Sequence, residues 1–262
     1  MTNANENTGV RHDHELTPRS YFGIEPVVFI IESPRRSEFE RGQVEGDALH
    51  RELEASGVPS TWWVVRGTRG LDEALNGIAE RVLARFRGLP ICATIHISAH
   101  GSTSELQLMN DDRVTWSALR ARLLDLAVKT GRMSVGRQFA LQDLSLSTCY
   151  GAYGAQMYKH GPPYPCSGLI GPRVAVHWDL ARAAFVRRYA LGHRKYIPAP
   201  ECVDEMNRIA GSHVFDCFQP EGIENMYSLR GRELSQGFAA ALEQQQQNQP
   251  KIPPASDSAC LF

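Results

Sequence analysis

The chain has 262 residues, with 28 Lys plus Arg against 29 Asp plus Glu, a formal net charge of −1, 42% apolar residues and 22% charged ones. These are the proportions of a globular protein of one or two domains, long enough to bury a core without covalent staples. They exclude nucleic-acid binding through bulk positive charge, and no apolar run approaches the roughly 20 residues of a membrane span.

Residues 1–23 are polar and unpatterned and are expected to be a disordered leader, with His12-Asp13-His14 a solvated stretch rather than a metal site. The opening Met1 to Asn7 has none of the apolar character of a secretory signal. Structure is expected to begin at Pro26-Val27-Val28-Phe29-Ile30-Ile31, whose continuous apolar, β-branched character suits a strand buried on both faces. A polar loop, Glu32 to Gly42, leads to a helix through Ala48, Leu49, Leu53 and Ala55, stopped by Gly57. Trp62-Trp63-Val64-Val65 reads as a second strand with one or both of its indoles in the core. Leu71 to Phe86 reads as a second amphipathic helix, ended by Gly88.

A third strand, Ile91 to Ile97, runs into Ser98-Ala99-His100-Gly101, and His96 inside it reads as a core residue. Glu105 to Met109 and Arg113 to Thr115 flank the turn composition Asn110-Asp111-Asp112, which predicts a small hairpin. Thr115 then caps a helix from Trp116 to about Lys129. Leu144-Ser145-Leu146-Ser147 reads as the next strand and leads to Thr148-Cys149-Tyr150-Gly151. Gly151 to Gly168 reads as a Gly/Pro/Tyr-rich loop, Leu169 to Gly171 as a short strand, and Asp179 to Leu191 as a helix capped by Gly192. Periodicity then weakens, with Pro198, Pro200 and Pro220 interrupting it, until a last helix at Glu233 to Gln244. A Gln/Pro-rich tail over 244–262 is expected to be disordered.

Strands and helices therefore alternate, which predicts an α/β fold with a mostly parallel central sheet and helices on both faces. In such sheets ligands bind beyond the carboxyl ends of the strands, and two of these strands end on His100 and Cys149.

Six cysteines stand at 92, 149, 166, 202, 217 and 260, none in a CxxC pair. That argues against a zinc ribbon or a redox motif, and reduced thiols in a cytoplasm are expected. Cys166, in the Pro-rich loop, reads as an exposed thiol. No Gly-rich phosphate loop is present, and neither a metal nor a cofactor is expected. Cys149 differs from the other five, because a strand that stops at a small-residue turn holds its last side chain at the sheet's rim. A thiolate there, beside an acid-base group, is a nucleophile. Gly101 lacks a Cβ, so its N–H, with that of Cys149, is placed to form an oxyanion hole.

Cys149 lies 49 positions after His100, the histidine-to-cysteine spacing of caspases. On these residues the sequence resembles the caspase-like cysteine peptidases, including CHAT domains, although the local signature Gln-Ala-Cys reads Ser-Thr-Cys here. The segment Leu106 to Leu123 and the stretch Gly168 to Gly192, "GLIGPRVAVHWDLARAAFVRRYALG", resemble those that follow the histidine and the cysteine in CHAT domains. The similarity runs from about Val27 to Gly192.

The resemblance implies a caspase-like three-layer sandwich over residues 24–243, with the dyad in 24–192 and an irregular part in 193–243. It implies a cytoplasmic cysteine endopeptidase acting on protein or peptide substrates through Cys149, His100 and the backbone of Gly101. In prokaryotes such chains resemble effectors of antiviral defence or cell death, activated by a small molecule or a partner protein. Caspases take an acidic residue before the cleaved bond, helped by an Arg after the first strand. Of Arg35, Arg36 and Arg41 in that loop, the resemblance points to Arg41. Tyr150 is the substrate-binding candidate among Tyr150, Tyr153, Tyr158 and Tyr164. Asp111 and Asp112 facing a basic side chain is the opposite preference, and a turn explains them equally well, so specificity stays open. Two rival readings remain. One is a catalytically silent scaffold of the same fold. The other is a different α/β hydrolase with a Cys nucleophile, served by His177, His193 or His213.

Overall fold

A strand places successive side chains on opposite faces, and the first strand, β1 (Glu25–Ser33), shows how the core follows from that rule. Val27, Phe29 and Ile31 enter one apolar cluster, and Val28 and Ile30 enter another on the opposite face. The continuous apolar run thus serves two cores at once. A computed structural model describes residues 25–85, 91–131, 142–194, 197 and 199–219, all within a single unit, Met1–Glu221.

After β1 come α1 (Arg36–Glu40), α2 (Glu45–Ala55), β2 (Ser60–Val64), α3 (Thr68–Arg85) and β3 (Ile91–Gly101). The hairpin β4 (Glu105–Gln107) and β5 (Arg113–Thr115) leads to α4 (Trp116–Lys129), with the Thr115 hydroxyl accepting the Ala118 N–H as the sequence anticipates. Strand β6 (Gln142–Ser147), a 3-10 helix (Gly151–His160), β7 (Gly168–Pro172), α5 (Trp178–Arg194), α6 (Ala199–Ala210) and β8 (Phe215–Phe218) follow.

The sheet runs β2-β1-β3-β6-β7-β8. Every neighbouring pair in that order is parallel except β7 with β8. Helices α3 and α4 cover one face through Leu71, Ile78, Val82, Leu119, Leu123 and Leu126. Helices α2, α5 and α6 cover the other through Leu49, Leu53, Phe185, Tyr189, Val203 and Met206. The architecture is the α/β sandwich expected from the alternation of elements. No helix among the described residues is long and apolar enough to cross a membrane.

The second face is not purely apolar. Along β3 and β6, Ala93, Ile95, Ile97, Leu144 and Leu146 point to the first cluster. The alternate positions Thr94, His96, Ser98, Ser145 and Ser147 are buried polar residues. His96 is a core residue, as its place in the strand predicts. Its Nδ1 lies 2.9 Å from the Tyr189 hydroxyl, and its ring meets Phe185 edge-on at 4.8 Å. Burial, aided by the Arg188 charge, holds its pKa down to about 3, so the ring is neutral.

The structure departs from the sequence reading at several points. The polar stretch after β1 contains α1, whose start is closed by the Arg35 N–H donating to the Glu38 side chain at 2.7 Å. Strand β3 continues through His100 and Gly101 because those residues pair antiparallel with Gln107 and Leu106. Part of the presumed loop after Cys149 is the 3-10 helix. Gly192 lies inside α5 rather than at its cap, where a Cβ would stand 3.7 Å from the Cys202 sulfur. The weakly periodic region holds α6 and β8, and Pro200 is tolerated because it sits in the first turn of α6, where no intrahelical N–H bond is lost. Cys166 is fully buried rather than exposed, its sulfur 3.2 Å from the Tyr158 hydroxyl, and burial pushes its pKa up to about 12. Strand β2 is an edge strand, so Trp62 and Trp63 are each partly buried, one against each core cluster. The leader, the last helix, the Gln/Pro-rich tail, Gly88, Cys260 and the side chains of Cys92 and His193 lie outside the described residues.

Ile30, at the centre of β1 and 0% exposed, reports on the second cluster. Ile30→Ala is expected to lower the urea unfolding free energy by about 2–5 kcal/mol, through lost transfer energy and an unfilled cavity.

Candidate active site

Two neighbouring parallel strands carry the candidate dyad. Strands β3 and β6 are in register from Ala93 opposite Gln142 to Ser98 opposite Ser147. Each bears its reactive residue two positions further on, His100 and Cys149. Past Ser98 the strands part, β3 into the β4 hairpin and β6 into a turn. Tyr150 closes that turn in the left-handed region at φ 62°, with its N–H bonded to Val174 O at 3.1 Å.

Gly101 has a steric reason to be glycine. A Cβ there would collide with the Thr148 hydroxyl and stand 2.7 Å from the Cys149 carbonyl oxygen. The backbone after the histidine therefore packs directly on the Thr148 side chain and the carbonyl of Cys149. His100 and Cys149, both half-buried, line one cleft of about 410 Å³ with Glu32, Glu38, Glu45, Val176, His177 and Trp178 among its walls. The Cys149 sulfur lies 3.7 Å from the Val176 carbonyl oxygen.

The imidazole has a fixed partner. Glu38, on α1, lies 2.9 Å from His100 Nε2. Partial burial pushes the Glu38 carboxyl up. The hydrogen bonds from His100 and the Arg35 N–H, with the charges of both residues, outweigh that effect and hold it below the usual carboxylate range. An ionised carboxylate only accepts, so Nε2–H is the donor and Nδ1 is the ring nitrogen that Glu38 does not engage.

Beneath the dyad is a second carboxylate. Glu45, the first residue of α2, is 6% exposed and accepts hydrogen bonds from Ser98 Oγ at 2.6 Å and from Ser147 Oγ. Burial raises its pKa to about 7. The two serine bonds pull it back, and the charge of nearby Glu32 adds to the rise. Glu32 is itself raised by burial, although Trp62 Nε1 donates to it at 2.9 Å.

Of the sequence candidates, the structure brings together His100, Gly101 and Cys149. Arg41 is exposed at the end of α1, donating from Nε to the Gln43 side chain at 2.9 Å, and it does not line the cleft. Tyr150 stacks edge-on with Tyr153, centroids 6.2 Å apart, and the aromatic wall of the cleft is Trp178 instead. Asp112 caps α3 by accepting the Thr68 N–H at 2.9 Å, and Asp111 takes the hairpin's left-handed position at φ 67°. Both are turn residues. His177 does line the cleft, mostly exposed, 3.6 Å from Asp179. Glu38, Glu45 and Trp178 were not singled out by the sequence. The one available signal was the shared spacing of Ser98-Ala99-His100 and Ser147-Thr148-Cys149.

No protein-family model matches the chain, and no curated protein does. Among solved structures the chain is similar to the crystal structure of drICE, a caspase, with a TM-score of 0.47 and 12% identity, over 80% of this chain and 95% of that one.

Two outcomes follow from the geometry. Gly101→Ala forces β3 away from Thr148 and is expected to cost about 1–3 kcal/mol in urea unfolding, as overpacking does. The second concerns pH. A carboxyl whose pKa is raised in the folded state adds stability below the ordinary 4.5 that is lost as pH rises through about 7, which describes Glu45. His96, depressed from 6.5 to about 3, adds stability above 6.5 that is lost as pH falls. The two oppose each other between 4.5 and 6.5. Glu45→Gln is expected to make unfolding free energy rise more steeply with pH across that window than in the wild type.

Proposed function

We propose that the protein is a caspase-like cysteine endopeptidase, with Cys149 as nucleophile and His100 as the acid-base group. The observation that carries this reading is the placement of both residues in one cleft, at the ends of two adjacent strands held in register. The resemblance of the His-Gly and Cys segments to caspase-like and CHAT sequences supports it.

In the proposed reaction the Cys149 thiol gives its proton to His100 Nδ1, and the thiolate attacks the peptide carbonyl. The N–H groups of Gly101 and Cys149 receive the developing oxyanion, each donor contributing roughly 3 kcal/mol. The C–N bond breaks as His100 returns the proton to the leaving amine. Water, deprotonated by His100, then hydrolyses the thioester and restores the thiol. Glu38 keeps Nε2 protonated, so Nδ1 is the nitrogen that exchanges protons, and it steadies the imidazolium that forms between the two transfers.

The resemblance to CHAT domains supports a cytoplasmic effector of prokaryotic antiviral defence or cell death, turned on by a small molecule or a partner protein. His177 is the competing base in the cleft. It is the more exposed of the two and its acidic neighbour is more distant, which favours His100.

Cleavage of a proteome-derived peptide library, with candidate activators added, tests the reading. Cys149→Ala is expected to abolish cleavage, His100→Ala to lower it about 10²–10⁴-fold, and Glu38→Gln to fall between His100→Ala and wild type. Unchanged cleavage by Cys149→Ala overturns the peptidase reading. A loss with His177→Ala and none with His100→Ala reassigns the base.

A further inference from the structure

We infer that the cleft beside Cys149 receives a basic side chain, Lys or Arg, from the substrate residue whose carbonyl is attacked, with Glu45 as the group that holds it. This names the specificity of the proposed peptidase and rests on that reading.

The walls of the cleft are selective in charge. Among the described residues no Lys or Arg lines it, and its acidic members are Glu32, Glu38 and Glu45. Glu38 is engaged by His100, which leaves Glu32, bonded to the Trp62 N–H, and Glu45 as the carboxyl groups a ligand meets deep in the cleft. Each Glu45 oxygen takes a single serine hydroxyl, Ser98 on one and Ser147 on the other. A carboxylate accepts about four hydrogen bonds, so capacity for a guanidinium or ammonium remains. The cation that acts on Glu45 from nearby is Arg182, and its guanidinium is already shared between Glu52 and Asp179 at 3.3 Å each and lies over the Trp178 ring. Burial pushes both carboxyls toward the protonated form, and a cation seated beside them would draw them back to the ionised form that it pairs with.

The rest of the wall suits the stem of such a side chain. Val176, Trp178 and Ala181 present an apolar and aromatic surface, against which the methylenes of Lys or Arg pack while the charged head reaches the floor. An aspartate in the same place would face three glutamates. The arginines that an acidic preference would need are elsewhere. Arg35 and Arg36 line a separate cavity of about 370 Å³ that shares His100 but not Cys149, and Arg41 bonds to Gln43.

The test uses fluorogenic peptides that differ only in the residue before the scissile bond, which is Arg, Lys, Leu or Asp. It is paired with protection of Cys149 from iodoacetamide by the corresponding peptide amides. For wild type, kcat/KM with Arg and Lys is expected to exceed that with Leu roughly ten- to a hundredfold, the range of a charged hydrogen bond, with Asp slowest. Glu45→Gln is expected to move the Arg-to-Leu ratio toward one. Glu32→Gln serves as a second variant if Glu45→Gln fails to fold by circular dichroism. If Leu or Asp peptides are cleaved as well as Arg peptides, the basic preference is wrong while the peptidase reading stands. If nothing is cleaved, protection decides. Arg and Lys amides protecting Cys149 at lower concentration than Asp amides uphold the cleft's selectivity and leave the peptidase reading to fall alone, whereas equal protection overturns the selectivity.

Discussion

Ser98 and Ser147 face each other across β3 and β6, and one buried carboxylate, that of Glu45, accepts a hydrogen bond from each. That bridge sits at the last point where the two strands are paired, immediately below His100 and Cys149. Strand pairing has a side-chain period of two, so a slip of one residue would send Ser147 to the apolar face and Leu146 to the polar one. It would also turn Cys149 away from the cleft that His100 occupies. The leucines of β6, packed on α3 and α4, and the serines, met by Glu45, therefore enforce the same register from opposite sides of the sheet.

The polar stripe on the second face has a physical cost that its partners offset unequally. His96 is kept neutral and bonded to Tyr189, so no ionic charge is buried there. Glu45 and Glu32 instead retain carboxyl groups away from water, and both are pushed toward the protonated form by burial. With a net charge of −1 the whole molecule exerts little long-range field. Whatever discrimination the cleft has must then come from groups a few ångströms apart in a region of low dielectric, where such groups act strongly.

Cys149 and His100 were legible because two independent regularities met on them: an apolar run followed by small residues, and Gly close behind. The hairpin and α4 were legible for the same kind of reason, since Asn110-Asp111-Asp112 demands a turn and Thr115 a cap. Glu38 was not. It lies in a five-residue helix with no buried side chain, so no periodicity marks it, and its role comes from a chain segment 62 positions away in sequence. Glu45 looks like any acidic residue in a first helical turn, and only the tertiary packing of α2 over the ends of β3 and β6 reveals that it is buried. Cys166 misled in the opposite sense. Its Pro-rich surroundings read as surface, but the thiol turns inward toward Tyr158. The short α6 and β8 were obscured by proline, which breaks periodicity in a sequence even where a first helical turn accommodates it.

The helix that presents Glu38 has a further consequence. Since α1 buries no side chain, it is attached to the protein chiefly through hydrogen bonds, its own cap and the contact to His100. Such a segment belongs to the part of a protein that opens locally at a small fraction of the global unfolding free energy, while the core strands stay intact. The thiol is thus carried on the most rigid framework the fold offers, and the carboxylate that orients the imidazole on one of the least. The hydrogen bond between Glu38 and His100 therefore joins two parts of the fold that are anchored very differently.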